Sequence, residues 1–582
     1  MIEPRFHWLY PDRGPLDGAF LAAVRAHGGS ERLARVMGAR GVDTDEVDRF
    51  FGPPGDALHD PGLLPDAERA VARLALAKNA GEGVLVVGDF DADGLTGLAI
   101  MVRALRAAGI DAAPHVPNRL DDGHGLSLRA VELARAGGRR LVVTVDMGSS
   151  SGAEIAAARD AGIDVIVTDH HRVPPEAPGA LALVNPHRPD ARYPDARLTG
   201  SGVALKMAAL LLERLGGIPA DVTTADLADL AMIGTVADVA PVLGENRAIA
   251  RLGLERVRHD PRPAIAALLA AAGATPAHAT LETVGFVIAP RLNAAGRVGD
   301  ADTAAALLLT DDVETAAVHA AALDLANLAR RDASRSALDE ARAVVDAEGG
   351  RTDWGVLVRG PWPIGIIGLV AGRLADESGL PAVVATRVGD HLRASCRAPA
   401  GYDLAAVLQG CSDLLVRFGG HRGAAGFEVE AGRWDELEER LHGLLAAAGP
   451  RDGRRTLALD LALPARSVDY ALLGELAALE PTGPGNAAPV VGVHGLTVTR
   501  IRAATGGHAQ LTLRRDLDVL DGIAFGRGDL VGMVREGDRV DVAARLVSRR
   551  FGGYESLQLG VIDVAAARTA VAEPVAVSGR SA

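Results

Sequence analysis

The sequence predicts a doubly wound parallel α/β sheet, joined by a long helix to a second, smaller α/β domain and then to a β-barrel. In the first third of the chain, short apolar runs alternate with helical stretches. That order is typical of parallel sheets with helices on both faces. The runs are continuously apolar rather than alternating, as expected for strands buried on both sides. Near the C-terminus, short β-like runs separated by glycine pairs indicate a small barrel.

Three apolar runs mark the strands of the first sheet, with helical patterns between and after them. The predicted strands are Val84–Val87, Leu141–Val145 and Ile163–Val167. The predicted helices are Leu95–Ala108, Leu128–Ala136 and Ala153–Ala161. Further along, Val313–Ala347 contains neither proline nor glycine. One long helix should therefore connect the first domain to the next.

The length of 582 residues leaves room for three or four domains. The expected division is a helical leader (1–70), the first α/β domain (71–310), a connecting helix (311–347), a second α/β domain (348–448), a barrel (455–565) and a flexible tail (566–582).

Composition limits the function without identifying it. A net charge of -14 argues against a general nucleic-acid binder but permits a local basic channel. Nearly all of the 61 basic residues are arginine, which suits bidentate phosphate contacts, although the codon bias of a GC-rich genome explains the excess more simply. Two cysteines without a zinc-type pair fit a reducing cytoplasm. With no apolar leader and no uninterrupted apolar span, we expect a cytoplasmic protein that does not cross a membrane.

Acidic residues and histidines follow each of the three predicted strands. Asp89, Asp91 and Asp93 come after the first strand, Asp146 directly after the second, and the Asp169-His170-His171 run after the third. A single acid after a strand is more often a turn or helix-cap residue. Three such groups are different, because the carboxyl ends of parallel strands meet in one crevice, where ligands usually bind.

The residue types in this crevice indicate a metal site. Carboxylates with one or two imidazoles suit Mn²⁺ or Mg²⁺ better than zinc, which prefers nitrogen and sulfur ligands. So many acids would repel each other unless cations neutralised them. Two divalent ions ~3.5–4 Å apart would do so, and would also hold the attacking and leaving oxygens of a phosphoryl transfer.

Four motifs around these residues resemble the DHH phosphoesterase superfamily: GDFDADG (Gly88–Gly94), TVDMG (Thr144–Gly148), TDHH (Thr168–His171) and IGTVADVAP (Ile233–Pro241). Four more follow in order: PRLNAAGR (Pro290–Arg297), RASCRA (Arg393–Ala398), FGGHRGAAGF (Phe418–Phe427) and LEPTGPGNAAP (Leu479–Pro489). This ordered set, from about residue 70 to 560, is similar to the RecJ family of bacterial nucleases.

The resemblance implies a set of metal ligands and a reaction. The implied ligands are Asp91, Asp93, Asp146, His170 and Asp238, with Asp89 as a further ligand of the first ion. Asp146 would bridge two ions, and His171 would face the phosphate. The implied activity is hydrolysis of single-stranded DNA from its 5′ end, which releases 5′-mononucleotides and needs no covalent protein nucleophile.

The resemblance also implies a path for the DNA. The residues assigned to the strand and its 5′ end are Arg119, Arg291, Asn293, Arg297, Ser395, Arg397, Gly420 and His421. Ser395 and Arg397 alternate along an extended segment, so they should share one face. Residues 455–565 resemble an OB-fold, which tracks single strands, although core packing is the expected role of its Phe525. Family resemblance further suggests a monomer with a RecQ-type helicase and a single-strand-binding protein as partners.

One position departs from the family pattern. Related chains usually carry a Trp-His pair before the first helix of the second domain, whereas this chain has Trp362-Pro363. If that histidine contacts DNA in the family, the contact is missing here, and binding rather than chemistry is affected.

Three alternatives remain. A phosphodiesterase of the same superfamily for short oligonucleotides or cyclic dinucleotides, or a pyrophosphatase, would not need the C-terminal half. A haloacid-dehalogenase-type phosphatase would share the Asp89-Phe90-Asp91 pattern but not the paired histidines. A non-catalytic replication scaffold of the same ancestry would have lost metal ligands, which this chain retains.

Arg297→Ala should weaken single-strand binding without removing metal, because Arg297 lies in a separate motif from every implied ligand. Loss of one phosphate contact should lower the slope of log K against log salt by about 0.7. Titration of labelled oligonucleotide at several salt concentrations measures both effects. An unchanged slope and affinity would make Arg297 an ordinary surface residue.

Overall fold

The computed structural model describes residues 2–11, 14–118, 125–216, 223–298, 301–348, 351–448, 455–551 and 554–567. The chain divides into two compact units. The larger unit is Pro54–Gly453, and the smaller combines Met1–Pro53 with Arg454–Ala582. The tail expected at 566–582 lies, from residue 568 onward, outside the described residues.

The N-terminal segment and the first α/β domain contain the following elements in chain order. The segment has β1 (Phe6–Leu9), α1 (Gly18–Ala26), α2 (Glu31–Ala39) and α3 (Val47–Phe51). The domain has α4 (Ala67–Ala80), β2 (Val84–Gly88), α5 (Ala92–Ala107), β3 (Ala112–His115), α6 (Leu128–Ala136), β4 (Leu141–Val145), α7 (Gly152–Asp160), β5 (Asp164–Thr168) and β6 (Ala182–Val184).

Strands β2 to β6 form one five-stranded sheet in the order β3-β2-β4-β5-β6, and every pairing is parallel. The chain passes from β2 to β3 on one side and then crosses to β4 on the other side. The strand order therefore reverses between β2 and β4. In such sheets, ligands bind beyond the carboxyl ends of the strands at this reversal.

Both faces of this sheet are buried, as the continuous apolar runs predict. Alternate residues of β2 enter two separate hydrophobic cores: Val84 and Val86 pack in one, and Leu85 and Val87 in the other. Because successive side chains of a strand point to opposite faces, this division shows a helical layer on each side. The predicted doubly wound sheet is confirmed.

Helices complete the first domain and lead out of it. They are α8 (Gly200–Leu215), α9 (Thr224–Ala237), α10 (Gly244–His259), α11 (Pro263–Ala271), α12 (Leu281–Thr283), α13 (Ala289–Val298), α14 (Ala301–Leu309) and α15 (Val313–Glu348). Helix α15 is the predicted connecting helix. Its first half buries Ala316, Ala320 and Leu323 in the core of the first domain, and its second half buries Ala337 and Ala341 in a core of the second.

The second α/β domain contains β7 (Val356–Arg359), α16 (Ile367–Ser378), β8 (Ala382–Val388), β9 (His391–Arg397), α17 (Leu404–Gln409), β10 (Leu415–Gly420), β11 (Ala424–Glu430) and α18 (Trp434–Ala448). Its sheet has the order β10-β11-β9-β8-β7. Only β7 and β8 pair in parallel; the other neighbours are antiparallel. Strand β9 alternates between half-buried and buried residues, so one of its faces is accessible.

The smaller unit is built on the predicted barrel. Its elements after residue 454 are β12 (Arg455–Ala458), β13 (Leu461–Leu463), α19 (Tyr470–Ala477), β14 (Val491–Ala504), β15 (His508–Arg515), β16 (Asp518–Ala524), α20 (Leu530–Met533), β17 (Arg539–Phe551) and β18 (Tyr554–Ala566). Antiparallel pairing between β14 and β17 closes the sheet β14-β15-β16-β18-β17 into a barrel, as expected for an OB-fold.

The expected leader does not form a unit of its own. Strand β1 pairs in parallel with β12, and Trp8 Nε1 donates a hydrogen bond of 2.9 Å to the buried carboxylate of Asp563. Phe20, Val24 and Met37 share one core with the barrel. A segment of about fifty residues buries little apolar surface by itself. This segment therefore packs its apolar side chains against the barrel.

The rest of the expected leader belongs to the larger unit. A buried ion pair holds this part of the chain: Lys206 Nζ lies 2.7 Å from Glu245 Oε1. Glu245 also accepts hydrogen bonds from the backbone N–H of His59 and from the Tyr193 hydroxyl. The paired charges and their hydrogen bonds satisfy each other away from water. Helix α4 then packs its buried residues into the core of the first domain.

Phe525 does not pack in the barrel core, and that expectation was wrong. Its side chain is 68% exposed and lies edge-on to the His508 ring at 5.1 Å. The barrel interior is filled instead by small and branched aliphatic residues such as Val498 and Ala509. Of the helices that the structure describes, none is long and apolar enough to cross a membrane.

A variant without the barrel should be folded and monodisperse only if the first 53 residues are removed together with the barrel. A chain of 54–453 should stay folded and monodisperse, whereas a chain of 1–448 should aggregate, because Phe20, Val24 and Met37 lose the surface that covers them. Gel filtration and thermal unfolding compare the two. Identical behaviour would show that the N-terminal segment does not depend on the barrel.

Candidate metal centre and its cleft

The acids after β2 and β4 meet at the reversal of strand order. Oxygens of Asp89, Asp91 and Asp146 all lie within 4.8 Å of one another. Asp91 caps helix α5, because its Oδ1 accepts hydrogen bonds from the backbone N–H groups of Asp93 and Gly94 at 3.0 and 3.1 Å. The cap fixes the orientation of the carboxylate and leaves its second oxygen for another partner.

Asp93 is held by a different helix. Its Oδ2 accepts a 2.7 Å hydrogen bond from Gly200 N, and its Oδ1 accepts a 3.0 Å bond from Ser201 N, at the N-terminus of α8. The N-terminal amides of a helix stabilise a negative charge. A side chain at Gly200 would place its Cβ 2.4 Å from Asp146 Cβ, and one at Gly234 would come within 2.2 Å of Asp93 Oδ1. Only glycine allows α8 and α9 to approach the acids this closely.

His170 joins the two groups of acids. Its Nε2 lies 3.1 Å from Asp146 Oδ1 and 3.9 Å from an oxygen of both Asp93 and Asp238. Asp93, His170 and Asp238 form one group that could hold an ion, and Asp89, Asp91 and Asp146 form another. Asp146 lies between the two, in the position that a bridging ligand requires.

Asp146 has an unusual local environment. Its backbone is left-handed, with φ of +62°, a conformation that costs of order 1–3 kcal/mol for a residue other than glycine. The amide is held by a 2.9 Å bond to Thr168 O on the neighbouring strand. Its Oδ1 is buried and, apart from the nearby His170 Nε2, has no hydrogen-bonding group within reach among the described residues. A buried carboxylate oxygen in this state fits coordination to a cation.

The electrostatics of the site also call for cations. Burial, and then the charges of Asp89 and Asp93, raise the pKa of Asp91 to about 7. Burial and the charge of Asp93 raise the pKa of Asp238 to about 6, and burial with the neighbouring acids raises the pKa of Asp146 well above its usual value. Divalent ions would remove this repulsion. The residues present therefore fit Mn²⁺ or Mg²⁺.

Asp169 is a site residue to which the sequence assigned no role. It is buried, and its Oδ1 accepts hydrogen bonds from His171 Nδ1 at 2.8 Å and from the backbone N–H of His170 and His171. These donors hold the pKa of Asp169 below its usual value against the opposing effect of burial. The hydrogen bond from Nδ1 leaves His171 Nε2 directed away from Asp169. The position of Asp169 directly before the histidine pair was the available signal.

Asn185 supports the same loop. Its Nδ2 donates to Ser149 Oγ at 3.0 Å and to the carbonyl of His171 at 2.8 Å, and the residue is fully buried. Asn185 follows β6 and has no neighbouring acid or histidine motif in the sequence, so nothing in the sequence marked it. Such supporting contacts fix the orientation of metal ligands.

A cavity of about 870 Å³ opens beside these residues, between the two α/β domains of the larger unit. On one side it is lined by Asp89, Asp146, Asp169 and His171. The other side comes from the second domain, and four of the residues expected to bind DNA lie there: Ser395, Arg397, Gly420 and His421. The fold thus brings an acidic and a basic surface together across one cleft.

Two other residues expected on the DNA path make structural contacts instead. Asn293 Oδ1 accepts a 2.8 Å hydrogen bond from Ala92 N, so it supports the metal-binding loop. Arg291 forms a 2.7 Å ion pair with Asp324 of α15. These contacts favour a structural role for both, and DNA contact by either stays a prediction. Arg119 and the side chain of Arg297 lie outside the described residues.

Part of the second domain's contribution to the cleft was not predicted from the sequence. Arg393, Arg417 and Glu428 also line it. Arg393 could have been found, because it is two residues before Ser395 on the same face of β9. At the departure from the family pattern, Trp362 is buried and donates to Glu340 Oε2 at 3.0 Å, while Pro363 is exposed.

Comparison with known proteins agrees with this architecture. Three protein families match in order: the DHH family N-terminal domain at residues 83–235, the DHHA1 domain at 355–447 and the RecJ OB domain at 459–563. The fold and site thus define a protein of the DHH class with a C-terminal OB domain.

Curated relatives narrow the class to one family. Proteins named single-stranded-DNA-specific exonuclease RecJ are similar along most of the chain. The protein from Bacillus subtilis is 33% identical over 92% of this chain and 68% of its own. The protein from Escherichia coli is 36% identical over 70% of this chain and 73% of its own length. The protein from Thermus thermophilus is 35% identical over 87% of this chain and 72% of its own length. The chain belongs to the RecJ family.

Solved structures of RecJ are also similar to this chain, and they contain metal ions. The crystal structure of RecJ in complex with Mn²⁺ from Thermus thermophilus matches with a TM-score of 0.82 and 31% identity, over 98% of this chain and 80% of that one. The complex with Mg²⁺ from the same organism matches with a TM-score of 0.77 and 29% identity, over 97% and 79%. Both expected ions are therefore found in similar structures.

Asp146→Asn should have opposite effects on the stability of the metal-free protein and on its stabilisation by metal. Removing one charge from the crowded acids should raise the melting temperature of the EDTA-treated protein at pH 8. The same change should reduce the stabilisation by Mn²⁺, which for one intact site at 100 times its Kd is about 2.7 kcal/mol. Differential scanning calorimetry with and without Mn²⁺ measures both. A wild-type response to Mn²⁺ would show that Asp146 is not a ligand.

Proposed function

We propose that this protein is a metal-dependent exonuclease that hydrolyses single-stranded DNA from the 5′ end and releases 5′-mononucleotides. The observation that carries the proposal is the cleft of the larger unit, in which a crowded set of acids and histidines faces arginine, serine and histidine side chains of the second domain. A phosphodiester between these surfaces would have metal ligands on one side and phosphate-binding groups on the other.

Six residues would hold two divalent ions, with Asp146 shared between them. Asp89, Asp91 and Asp146 would hold one, and Asp93, His170 and Asp238 with Asp146 the other. When bound, such ions polarise the phosphodiester and make a water molecule nucleophilic near neutral pH. The contribution of the chain is to fix the ligands, through the cap of α5, the N-terminus of α8 and the left-handed backbone at Asp146.

His171 would bind and orient the reacting phosphate. Its Nδ1 is committed to Asp169, so Nε2 is the nitrogen that can donate to a phosphate oxygen. The hydrogen bond to Asp169 raises the pKa of His171 to about 9, against the effect of partial burial. The hydrogen bond to Asp169 therefore favours the cationic imidazole, and a charge-assisted hydrogen bond to phosphate is stronger than a neutral one.

The second domain would hold the strand and its terminal phosphate. Ser395 and Arg397 lie beside the start of α16, where a Cβ on Gly368 would be 3.0 Å from Ser395 Oγ. Serine and arginine donors beside the N-terminus of a helix suit a phosphate group. A site for a terminal phosphate would place the first internucleotide bond at the metal ions, and cleavage there would release one nucleotide at a time.

The barrel would add affinity for single strands. On the outer surface of β14 to β16, Arg500, Arg502, Gln510 and Thr512 line a small cavity of about 110 Å³. The exposed Phe525 follows β16, contacts the ring of His508 at the start of β15, and offers a ring on which a base can stack. A positive groove with exposed rings is how OB-folds bind single strands without sequence preference.

The alternatives are less well supported. A non-catalytic scaffold would not need the six ligands that this chain retains, and an enzyme for dinucleotides would not need the barrel. We also propose a cytoplasmic monomer that works with a RecQ-type helicase and a single-strand-binding protein, on the strength of the family alone.

The proposal is tested with oligonucleotides labelled at one end. With Mn²⁺, a 5′ label should appear at once as a mononucleotide, whereas a 3′ label should pass through progressively shorter strands. A duplex with blunt ends should be resistant. EDTA and Asp146→Asn should each lower the rate by several orders of magnitude, each ~1.4 kcal/mol of lost transition-state stabilisation being tenfold. Release of label from the 3′ end first, or cleavage inside a circular strand, would contradict the proposal.

A further inference from the structure

Three residues on neighbouring strands of the second sheet form an ion-pair cluster in the wall of the cleft. Arg393 on β9 is directly opposite Glu428 on β11, and Glu428 is directly opposite Arg417 on β10. Glu428 Oε2 accepts hydrogen bonds from Arg393 Nε at 3.2 Å and from Arg417 Nε at 2.7 Å. All three residues line the cleft.

We propose that Arg393 and Arg417 bind a phosphate of the DNA strand beyond the one being hydrolysed, and that Glu428 is the positioning residue that holds both arginines in place. This inference rests on the proposed function. It adds a second phosphate site to the one at Ser395 and Arg397.

Burial distinguishes the acid from the two arginines. The side chain of Glu428 is 13% exposed, whereas those of Arg393 and Arg417 are 33% and 65% exposed. The carboxylate is thus the less accessible group, and the guanidinium groups are the ones that a ligand in the cleft would reach. Each guanidinium has five N–H donors in a fixed plane, so several remain for a phosphate after the contact with Glu428.

The cluster carries excess positive charge. Within the described residues, neither Arg393 nor Arg417 pairs with any acid other than Glu428, so two cations share one carboxylate. The hydrogen bond and charge of Arg417, with those of Arg393, lower the pKa of Glu428 although burial opposes this. His391 Nδ1, 3.8 Å from Glu428 Oε1, adds a further charge when protonated. A bound phosphate would balance the excess.

The cluster is separated along β9 from the phosphate site at Ser395 and Arg397. Arg397, Ser395 and Arg393 follow one another at two-residue steps on one face of β9, so the cluster lies about 13 Å from Arg397 along the strand. The cluster therefore lies at the other end of this face of β9 from Arg397.

The surface between the two phosphate sites is made of small residues. Ala424 is opposite Arg397, and Gly426 is opposite Ser395 on one side and Gly419 on the other. A backbone can approach such a surface closely. A strand that enters along it would contact the Arg393–Glu428–Arg417 cluster first and the site at Ser395 and Arg397 next.

The role of Glu428 can be tested by whether its removal strengthens or weakens DNA binding. If Glu428 only neutralised charge, its removal would strengthen binding of a polyanion. If it positions the arginines, its removal should weaken binding, because two long side chains lose their fixed geometry and must be ordered by the ligand.

Binding is measured on full-length protein in EDTA, by fluorescence anisotropy of a 3′-labelled single-stranded oligonucleotide at several salt concentrations. The variant Arg393→Ala/Arg417→Ala should bind about tenfold more weakly, with a slope of log K against log salt lower by about 0.7, the value for one single-strand phosphate contact. Glu428→Ala should also bind more weakly, and Glu428→Gln, which retains an acceptor, should fall between it and wild type.

Arg440→Ala is the matched control, because Arg440 is an arginine of the same domain that pairs with Asp413 and does not line the cleft. It should bind as wild type does. Thermal unfolding confirms that each variant is folded. If Glu428→Ala does not fold, the double arginine variant still decides whether the second phosphate site exists.

Two results would overturn the inference. An unchanged affinity and salt slope in the double arginine variant would show that the cluster does not bind the strand. Tighter binding by Glu428→Ala or Glu428→Gln would show that Glu428 neutralises charge and does not position the arginines. Because hydrolysis is prevented in EDTA, these outcomes are independent of whether wild-type protein with Mn²⁺ releases mononucleotides.

Discussion

Repulsion among buried carboxylates is the constraint around which the larger unit is organised. Five aspartates and two histidines are concentrated where the strand order of the first sheet reverses. The fold holds them with backbone amides, as at the N-terminus of α8, rather than with basic side chains. Amides orient the carboxylates without neutralising them. Bound cations would supply the missing positive charge, so the same acids that repel one another in the metal-free protein are suited to hold metal ions.

The cleft combines this acidic surface with a basic one from a separate domain. Within the described residues, the first surface alone could hold metal ions but offers no arginine to a phosphate. The second surface alone is an exposed sheet that carries arginines. Helix α15, buried in the cores of both domains, connects them in one compact unit. A polyanion would be attracted to the second surface and repelled by the first until metal neutralised it. We therefore expect metal and DNA to strengthen each other's binding.

Much of the first domain could be predicted because its signals are local. Strands β2, β4 and β5 were evident from continuous apolar runs, and their acidic ends followed from the geometry of parallel sheets. Long-range contacts were not predictable in this way. Nothing near Asn185 shows that it will hold the carbonyl of His171, and nothing near Asn293 shows that it will bind the amide of Ala92. The packing of residues 1–53 against the barrel likewise joins the two ends of the chain.

The sequence by itself determined the order of the elements, the residues that could bind metal and the class of ion, because strand periodicity and ligand chemistry depend on residues close together in the chain. Only the tertiary structure decided which residues hold them in place: Asp169 behind His171, and Glu428 between two arginines. It also placed Phe525 outside the barrel. These contacts and exposures depend on how helices and strands that are far apart in sequence pack together. Local sequence patterns do not contain that information.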